Sequence, residues 1–151
     1  MEAKATISGN TAFVPEQRHV EHIRIGLEAW NRRNLELALS GLHPEIEWRI
    51  PEAERAGLDF DEVYHGPEGV RKFWELFWDA WEEISLEPEE FVELGVDRVL
   101  VLGRFRGRGR GSGAEVEQTF GHVYEFRGEL IAGFEAHWTR EAALEALGLP
   151  S

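Results

Sequence analysis

The chain has 151 residues, no cysteine, and a formal net charge of −13 from 16 basic and 29 acidic residues. This length suggests one domain with a sizeable core, and without cysteine neither disulfides nor thiolate metal sites can form. The negative charge disfavours binding to nucleic acid or to anionic membranes. Because no apolar run is long enough to span a membrane and the N-terminus does not resemble a secretion signal, we expect a cytoplasmic protein.

The N-terminal stretch has no periodic pattern, so residues 1–14 are expected to form a flexible arm before a single domain at 15–151. The domain begins with apolar residues at helical spacing, which predicts a helix over residues 15–31. The residues of this apolar stripe are Val20, Ile23, Leu27 and Trp30.

A second, short helix and a strand are expected next. Asn34 is a typical N-cap, and the dipeptide at 43–44, His-Pro, is expected to end this second helix, which would still include Leu42. Apolar and charged residues then alternate over residues 46–50, which is typical of a half-buried strand. Residues 51–64 show no period and are expected to form a loop that could fold over a cavity mouth.

The strongest pattern in the chain is an aromatic helix over residues 64–81. Pro67 suits its first turn. One face carries apolar side chains at 3.6-residue spacing. These residues are Val70, Phe73, Trp74, Phe77, Trp78 and Trp81. A face this broad must pack against something equally broad, such as a curved sheet, and its rings are either plain core or one wall of an apolar cavity.

After this helix the apolar period changes from 3.6 to about 2, which predicts antiparallel strands. The expected strands are 84–94, 98–106, 115–126 and 129–138, with a glycine-rich connection at 107–113 and a last helix at 140–147. Pro88 suggests an edge or a bulge in the first of them. Helices that precede a run of strands indicate an α+β fold with helices on one sheet face.

The final hairpin allows two registers. A two-residue turn places the more apolar face of its first strand opposite a set that contains polar groups. In that register Phe120, His122, Tyr124 and Phe126 lie beside Ile131, Gly133, Glu135 and His137. A three-residue turn would instead place Phe134 and Trp138 beside His122 and turn Glu135 and His137 outward.

If the first register holds, His122, Glu135 and His137 converge among aromatic rings and form the candidate catalytic set. An imidazole exchanges protons near neutral pH, and a carboxylate beside it could orient it or raise its pKa. His122 could also donate to a substrate oxygen that gains negative charge, with Tyr124 beside it. Each of these residues could equally be structural.

Five stretches carry a resemblance to the SnoaL-like group of the NTF2-like superfamily. They are LEAWNRRNLELAL, LHPEIEW, YHGPEGVRKFW, RGRGSGAEVEQTFGHVYEF and EAALEALGLP. The resemblance implies a cone-shaped fold in which a strongly curved antiparallel sheet wraps around N-terminal helices and encloses a pocket. It also implies a homodimer that pairs through the outer sheet face.

Members of this superfamily include ketosteroid isomerases, polyketide cyclases, dehydratases, epoxide hydrolases and binding proteins. The resemblance places His122 where ketosteroid isomerases carry the acid that donates to the substrate oxyanion. Their general base is a carboxylate before a proline, whereas this chain has Ile50 before Pro51. A steroid-type mechanism is therefore not expected, and Asp61 and His65 become further candidates for moving protons.

These patterns lead to three functional hypotheses. The chain could be a cofactor-independent enzyme that acts on a hydrophobic metabolite by proton transfer, a binding protein for such a molecule, or a dimeric interaction module. No cofactor and no metal ion are predicted. The expected pocket residues are Trp30, Trp48, Tyr64, Phe73, Phe77, Trp78, Phe120 and Tyr124.

Overall fold

The computed structural model describes the backbone of residues 6–7 and, in full, residues 18–51 and 60–150. The helices of these parts are α1 (Arg18–Asn31), α2 (Leu35–Ser40), α3 (Gly66–Asp79) and α4 (Arg140–Ala146). The strands are β1 (Thr6–Ile7), β2 (Leu42–Arg49), β3 (Val63–His65), β4 (Trp81–Leu94), β5 (Arg98–Gly109), β6 (Glu115–Arg127) and β7 (Leu130–His137).

The strands form one sheet in the order β1-β4-β5-β6-β7-β2-β3. Every neighbouring pair is antiparallel except β2 and β7, which run parallel. The α+β class is confirmed, and the predicted two helices, strand, helix and four strands are all present in that order. The prediction missed β3, because residues 63–65 were expected to end the loop and begin the aromatic helix, and they form a strand that pairs with β2. Most of the predicted arm lies outside the described residues, apart from Thr6 and Ile7, which pair with Val92 and Phe91 of β4.

Bulges give the sheet its curvature. The register of β4 against β5 shifts between Trp81 and Glu83 and again between Pro88 and Glu90. An extra residue bends a strand and increases its twist. Proline cannot donate to the ladder, so the predicted irregularity at Pro88 is confirmed as a bulge. The long strands therefore curve around the helices.

Helix α1 buries the predicted apolar stripe. The predicted N-cap of α2 is also confirmed, because Asn34 Oδ1 accepts a hydrogen bond from Leu37 N at 3.3 Å. Helix α2 ends at Ser40, earlier than expected. Leu42 already belongs to β2, where it pairs with Ile131 of β7. The prediction that Leu42 is helical was wrong, because its backbone pairs with β7 and does not continue the helix.

Helix α3 buries Val70, Phe73, Trp74 and Trp78, in agreement with its aromatic pattern. It ends at Asp79, so the prediction that Trp81 is helical was wrong. Trp81 begins β4 and pairs with Gly109. The helical spacing of Trp81 is nevertheless meaningful, because its ring still packs 6.3 Å from that of Phe77.

The sheet has a core on each face. Its concave face packs against α1, α2 and α3 and holds most of the buried aromatic rings. On its convex face, Ala143 and Leu144 of α4 pack against apolar residues of β4, β5 and β6. The residues of this smaller cluster that lie on the strands are Val92, Leu94, Leu100, Leu102 and Val123.

The β6–β7 hairpin has the predicted two-residue turn, with Arg127 paired to Leu130. A bulge then follows, because Phe126 pairs with Ile131 while Glu125 pairs with Gly133. Ala132 is the extra residue. Beyond Ile131, each residue of β7 therefore faces the side of the sheet opposite to the one that a plain two-residue turn predicts. The register that we derived from the turn does not hold there.

Three arginines of the segment 104–110 lie on β5 and form ion pairs across the convex face, namely Arg104, Arg106 and Arg108. Arg106 Nε lies 2.7 Å from Glu117 Oε2, and Arg108 contacts both Glu82 and Glu83. The predicted connection at 107–113 is shorter than expected, since β5 runs on to Gly109. Within the described residues, no helix is long and apolar enough to cross a membrane.

Candidate functional site

A cavity of about 160 Å³ lies between the concave face of the sheet and helices α1 and α3. We call it the chamber. Leu27 and Trp30 of α1 line it on one side, and Phe73 and Phe77 of α3 line it on another. A cavity of similar volume lined by apolar side chains can hold a molecule the size of benzene. The sheet and the helices therefore enclose a space large enough for a small organic molecule.

The chamber reaches the surface where β4 begins, β5 ends and β6 begins. Trp81, Phe105 and Gln118 line it and are half-buried, and Val116 beside them is 36% exposed. Phe60, which follows the part of the loop that lies outside the described residues, packs 5.1 Å from Phe73. Because the predicted lid at 51–64 falls largely on those residues, only its two ends can be placed.

A cluster of packed aromatic rings lines the centre of the chamber. The ring of Trp48 on β2 stacks on that of Phe134 on β7, with centroids 3.6 Å apart and planes within 13°. Phe134 in turn meets His122 and Tyr124 edge to face, at 4.8 Å and 5.2 Å. Edge-to-face pairs place the positive edge of one ring on the negative face of the next. These contacts hold the polar side chains of β6 in defined positions.

The side chain of His122 projects from β6 and packs among these aromatic rings. Its ring lies 4.3 Å from that of Phe120, and its Nδ1 is buried with no hydrogen-bond partner. Burial, together with a smaller effect of the nearby His137, lowers the pKa of His122 to about 3. A charged imidazole is disfavoured where water is excluded, so His122 is neutral at pH 7.

Tyr124 is the next residue of β6 that faces the chamber, and its ring centroid lies 6.4 Å from that of His122. Burial raises the pKa of Tyr124 above its ordinary value, so the phenol stays protonated. Trp48 adds an indole Nε1 that is buried without a partner. The polar groups around the chamber centre are therefore neutral.

No aspartate, glutamate, lysine or arginine side chain belongs to the chamber lining that the structure describes. Across residues 18–51 and 60–150, no three histidine, aspartate or glutamate side chains come together as a metal site. The chamber thus offers hydrogen bonds and aromatic contacts. A ligand that needs a counter-charge would find no permanently charged partner among these residues.

The structure does not bring the predicted catalytic set together. Glu135 pairs with Val123 on the convex side and is absent from the chamber lining. His137 borders the chamber, but its Nε2 lies 3.2 Å from Glu135 Oε1, and the residue pairs with Gly121. The expectation that Glu135 faces the chamber beside His122 was wrong, because the bulge at Ala132 reverses the facing of β7.

Other candidates also lie outside the chamber lining. Trp78 is buried against Trp30, with ring centroids 5.4 Å apart. Tyr64 packs on Phe73, and its hydroxyl accepts from Asp61 N at 2.9 Å. Asp61 and His65 are exposed on the outside of the domain. Of the eight expected pocket residues, the lining contains Trp30, Trp48, Phe73, Phe77, Phe120 and Tyr124.

Sequence reasoning missed the contribution of Phe134, Phe105 and Gln118. Phe134 appeared only in the alternative register, and its facing follows from a bulge that no single residue type signals. Phe105 lies between Arg104 and Arg106, and Gln118 follows Glu117, so the inward facing of both could have been found from period 2. Gln118 is the polar group that this pattern adds to the chamber.

The convex face has a second concavity beside the β6–β7 hairpin. It is lined by charged residues of both signs, which include Glu47, Arg49, Arg98 and Glu135. Helix α4 covers a different part of this face. The uncovered part is therefore polar, unlike the chamber.

Together, a curved sheet, helices on its concave face and an apolar chamber between them define an α+β domain of the NTF2-like class. The SnoaL-like domain family matches this chain over residues 23–134, and the chain belongs to that family. The match covers the stretch from α1 to the centre of β7, which includes His122.

Solved structures give the same result. TerC, crystallised with polyporic acid, is 26% identical, with a TM-score of 0.73 over 87% of this chain and 98% of its own. An NTF2-like protein of unknown function from Burkholderia pseudomallei is 27% identical, with a TM-score of 0.73 over 85% of this chain and 95% of its own. A protein with a ketosteroid isomerase-like fold from Catenulispora acidiphila is 15% identical, with a TM-score of 0.68 over 86% and 94% of the two chains, and shows the fold alone. No curated protein matches this chain in sequence.

Proposed function

We propose that this SnoaL-like domain binds a small hydrophobic molecule in its chamber and that His122 is the polar contact for that molecule. The observation that carries the proposal is the neutral imidazole of His122, which projects into an aromatic cavity and has its Nδ1 buried without a partner. Burial of Nδ1 leaves Nε2 as the ring nitrogen that a ligand can reach. One neutral hydrogen bond then fixes the orientation of an otherwise apolar ligand.

The rings of the chamber supply most of the expected binding free energy. Removal of apolar surface from water stabilises a complex by roughly 25 cal/mol per Å², and contacts between aromatic rings add about 0.5–1.5 kcal/mol each. Trp48, Phe73 and Phe134 present ring surface to the interior. A flat aromatic ligand suits these walls better than a branched aliphatic one.

The similarity to TerC supports this proposal. TerC shares 26% of its residues with this chain and was crystallised with polyporic acid. The ligand of TerC is a property of TerC, but the likeness makes a small organic ligand a reasonable expectation for this chain.

A direct test uses 2-naphthol, which is flat and fluorescent and is uncharged at pH 7. Its hydroxyl can both donate and accept, so it suits either tautomer of His122. We expect saturable binding to the wild-type protein, followed by fluorescence titration. In His122→Leu the loss of one neutral hydrogen bond should weaken binding by about three- to tenfold.

Two further variants complete the test. Glu135→Gln changes a residue outside the chamber lining and should leave the affinity for 2-naphthol unchanged. Ala136→Phe places a ring into the chamber from β7 and should abolish binding, with thermal unfolding recorded to show that the variant folds. No saturable binding to the wild-type protein, or equal affinity in Ala136→Phe, would contradict the proposal.

A second candidate function is proton-transfer catalysis without a cofactor. It is favoured by the neighbouring inward positions of His122 and Tyr124 on β6, which offer two neutral polar groups to one ligand. A histidine with a pKa of about 3 is a weak general base. It would instead donate to a substrate oxygen as negative charge develops there.

Turnover of a panel of hydrophobic carbonyl compounds and epoxides tests this second function. We expect His122→Ala and Tyr124→Phe each to reduce turnover, since each removes a donor. Absence of turnover by the wild-type protein, together with intact binding of 2-naphthol, would leave a binding protein. Unchanged turnover in His122→Ala would remove His122 from any catalytic role.

A further inference from the structure

We infer that Gln118 is the specificity-determining residue of the chamber, and that it selects a neutral, flat ligand with a hydrogen-bond donor at the end opposite His122. The inference rests on the proposed binding function and adds the ligand class to it. Gln118 was not among the residues expected from the sequence. The inference is supported by the position of Gln118, by its hydrogen bond to Trp138 and by the uncharged lining of the chamber.

The strand geometry turns Gln118 toward the chamber. Gln118 pairs with Phe105 of β5, and it lies two residues before Phe120 on the concave face of β6. Its neighbour Glu117 faces the other way and pairs with Arg106. Gln118 therefore stands at the mouth, on the same strand face as His122.

The orientation of the Gln118 amide follows from its partner. Its Nε2 donates to the backbone carbonyl of Trp138, at 3.1 Å. A carbonyl oxygen can only accept, so the amide nitrogen must face Trp138 and Oε1 must face away from it. We therefore expect Oε1, and not the amide nitrogen already bound to Trp138, to be the atom that Gln118 offers to a ligand at the mouth, which calls for a donor on the ligand.

The spacing of the two polar side chains sets the length of the ligand. Gln118 and His122 are four residues apart on an extended strand, which spans about 13 Å. Two hydrogen bonds of about 2.8 Å each take up part of that distance. About 7–8 Å then remains between the two polar atoms of the ligand, which corresponds to the two ends of a fused pair of aromatic rings. Phe120 lies between the two anchors and faces the ring system.

The charge of the chamber sets the charge of the ligand. His122 is neutral, Tyr124 is protonated, and none of the described lining residues is an acid, a lysine or an arginine. An ionised ligand would leave water without a compensating charge, which is unfavourable. The formal net charge of −13 further disfavours anions.

Three naphthols test the inference. 2-Naphthol reaches only the inner anchor, 2,6-dihydroxynaphthalene adds a donor at the outer end, and 6-methoxy-2-naphthol places an acceptor there. We expect the wild-type protein to bind the dihydroxy compound at least about fivefold more tightly than the methoxy compound. About twofold of this preference is statistical, because the dihydroxy compound is symmetrical.

In Gln118→Leu the preference should fall to about twofold, while the affinity for 2-naphthol stays within about twofold of the wild-type value. Glu117→Gln, on the opposite face of the same strand, is the matched control and should keep the full preference. Thermal unfolding of both variants shows whether the loss of the hydrogen bond to Trp138 affects folding.

Three outcomes would overturn the inference. An unchanged preference in Gln118→Leu, with 2-naphthol still bound, overturns the role of Gln118 and leaves the proposed function intact. Tighter binding of 2-naphthoate than of 2-naphthol overturns the neutral ligand class. Binding of none of the three naphthols by the wild-type protein overturns both the inference and the proposed function.

Discussion

Trp48 and Phe134 are directly paired residues on parallel neighbouring strands, and their rings stack with centroids 3.6 Å apart. The contact exists only because the bulge at Ala132 turns Phe134 to the concave face. The same bulge turns Glu135 away. A single extra residue in β7 therefore decides whether the chamber is lined by a phenyl ring or by a carboxylate.

Exchange of residues 134 and 135, in the double variant Phe134→Glu and Glu135→Phe, should destabilise the fold strongly. The double variant would place a carboxylate on the concave face beside His122 and a phenyl ring on the convex face. Exposure of a phenylalanine costs about 1.5–3 kcal/mol, and burial of a carboxylate adds to that loss. We expect a loss of at least about 3 kcal/mol in the free energy of unfolding, measured by urea denaturation.

Glu135→Gln alone is the control for the double variant. Glu135 pairs with Val123 on the convex side, so this single change should have a much smaller effect. Equal losses for the double variant and for Glu135→Gln would mean that the facing of residues 134 and 135 has no special role.

The pKa of His122 should make stability depend on pH. Because this pKa is about 3 in the folded protein and near 6.5 in the unfolded chain, the unfolded state takes up the proton first on acidification. Stability should therefore fall as the pH drops from about 6.5 towards about 3. From pH 7 to pH 5 the wild-type protein should lose about 2 kcal/mol more than His122→Leu does.

The His122→Leu variant lacks only the imidazole of residue 122, so the difference between the two proteins reports the contribution of that residue. Urea denaturation at the two pH values measures the difference directly. Parallel losses in the wild-type protein and in His122→Leu would show that His122 has an ordinary pKa in the folded state.

Gly121 on β6 permits the close approach of helix α4. A Cβ atom added there would lie closer to Ala143 Cβ than van der Waals contact allows. We expect Gly121→Ala to destabilise the protein by about 1–3 kcal/mol. Ala143→Gly should relieve part of this loss in the double variant, and a thermal unfolding cycle of the four proteins measures the coupling. Strict additivity would mean that the two residues do not meet.

Asn31 joins the end of α1 to the middle of β4. Its Nδ2 donates to Leu86 O at 2.8 Å, and its Oδ1 accepts from Leu86 N at 2.9 Å. Asn31→Ala leaves both backbone groups of Leu86 unpaired and should cost about 2–4 kcal/mol. Asn34→Ala, which removes only the N-cap of α2, should cost about 1 kcal/mol. Denaturation curves that place the two variants at equal stability would contradict this assignment.

The homodimer implied by family resemblance stays a prediction. One chain has a mass of 17.3 kDa, and sedimentation equilibrium should give twice that value if two chains pair. The uncovered part of the convex face carries charges of both signs, so the dimer should weaken as salt is added. A single-chain mass at every concentration tested would contradict the prediction.

Local patterns in the sequence determined most of the fold. The stripe from Val20 to Trp30 and the aromatic face of α3 predicted the two main helices, because a helix that packs on a sheet must present apolar residues every 3.6 positions. Period-2 alternation predicted four strands, and Pro88 predicted a bulge. These features depend on residues close together in the chain, which is why one sequence suffices to find them.

Only the tertiary structure decided how the chamber is composed. Leu42 and Trp81 follow helical spacing, yet both belong to strands, because the hydrogen bonds of distant neighbours outweigh local preference. The facing of Phe134, Glu135 and His137 depends on one unpaired residue, Ala132, whose side chain carries no signal of a bulge. The sequence determined that an imidazole would meet aromatic rings on β6, and the curvature and register of the sheet decided that a phenyl ring, and not a carboxylate, would stand beside it.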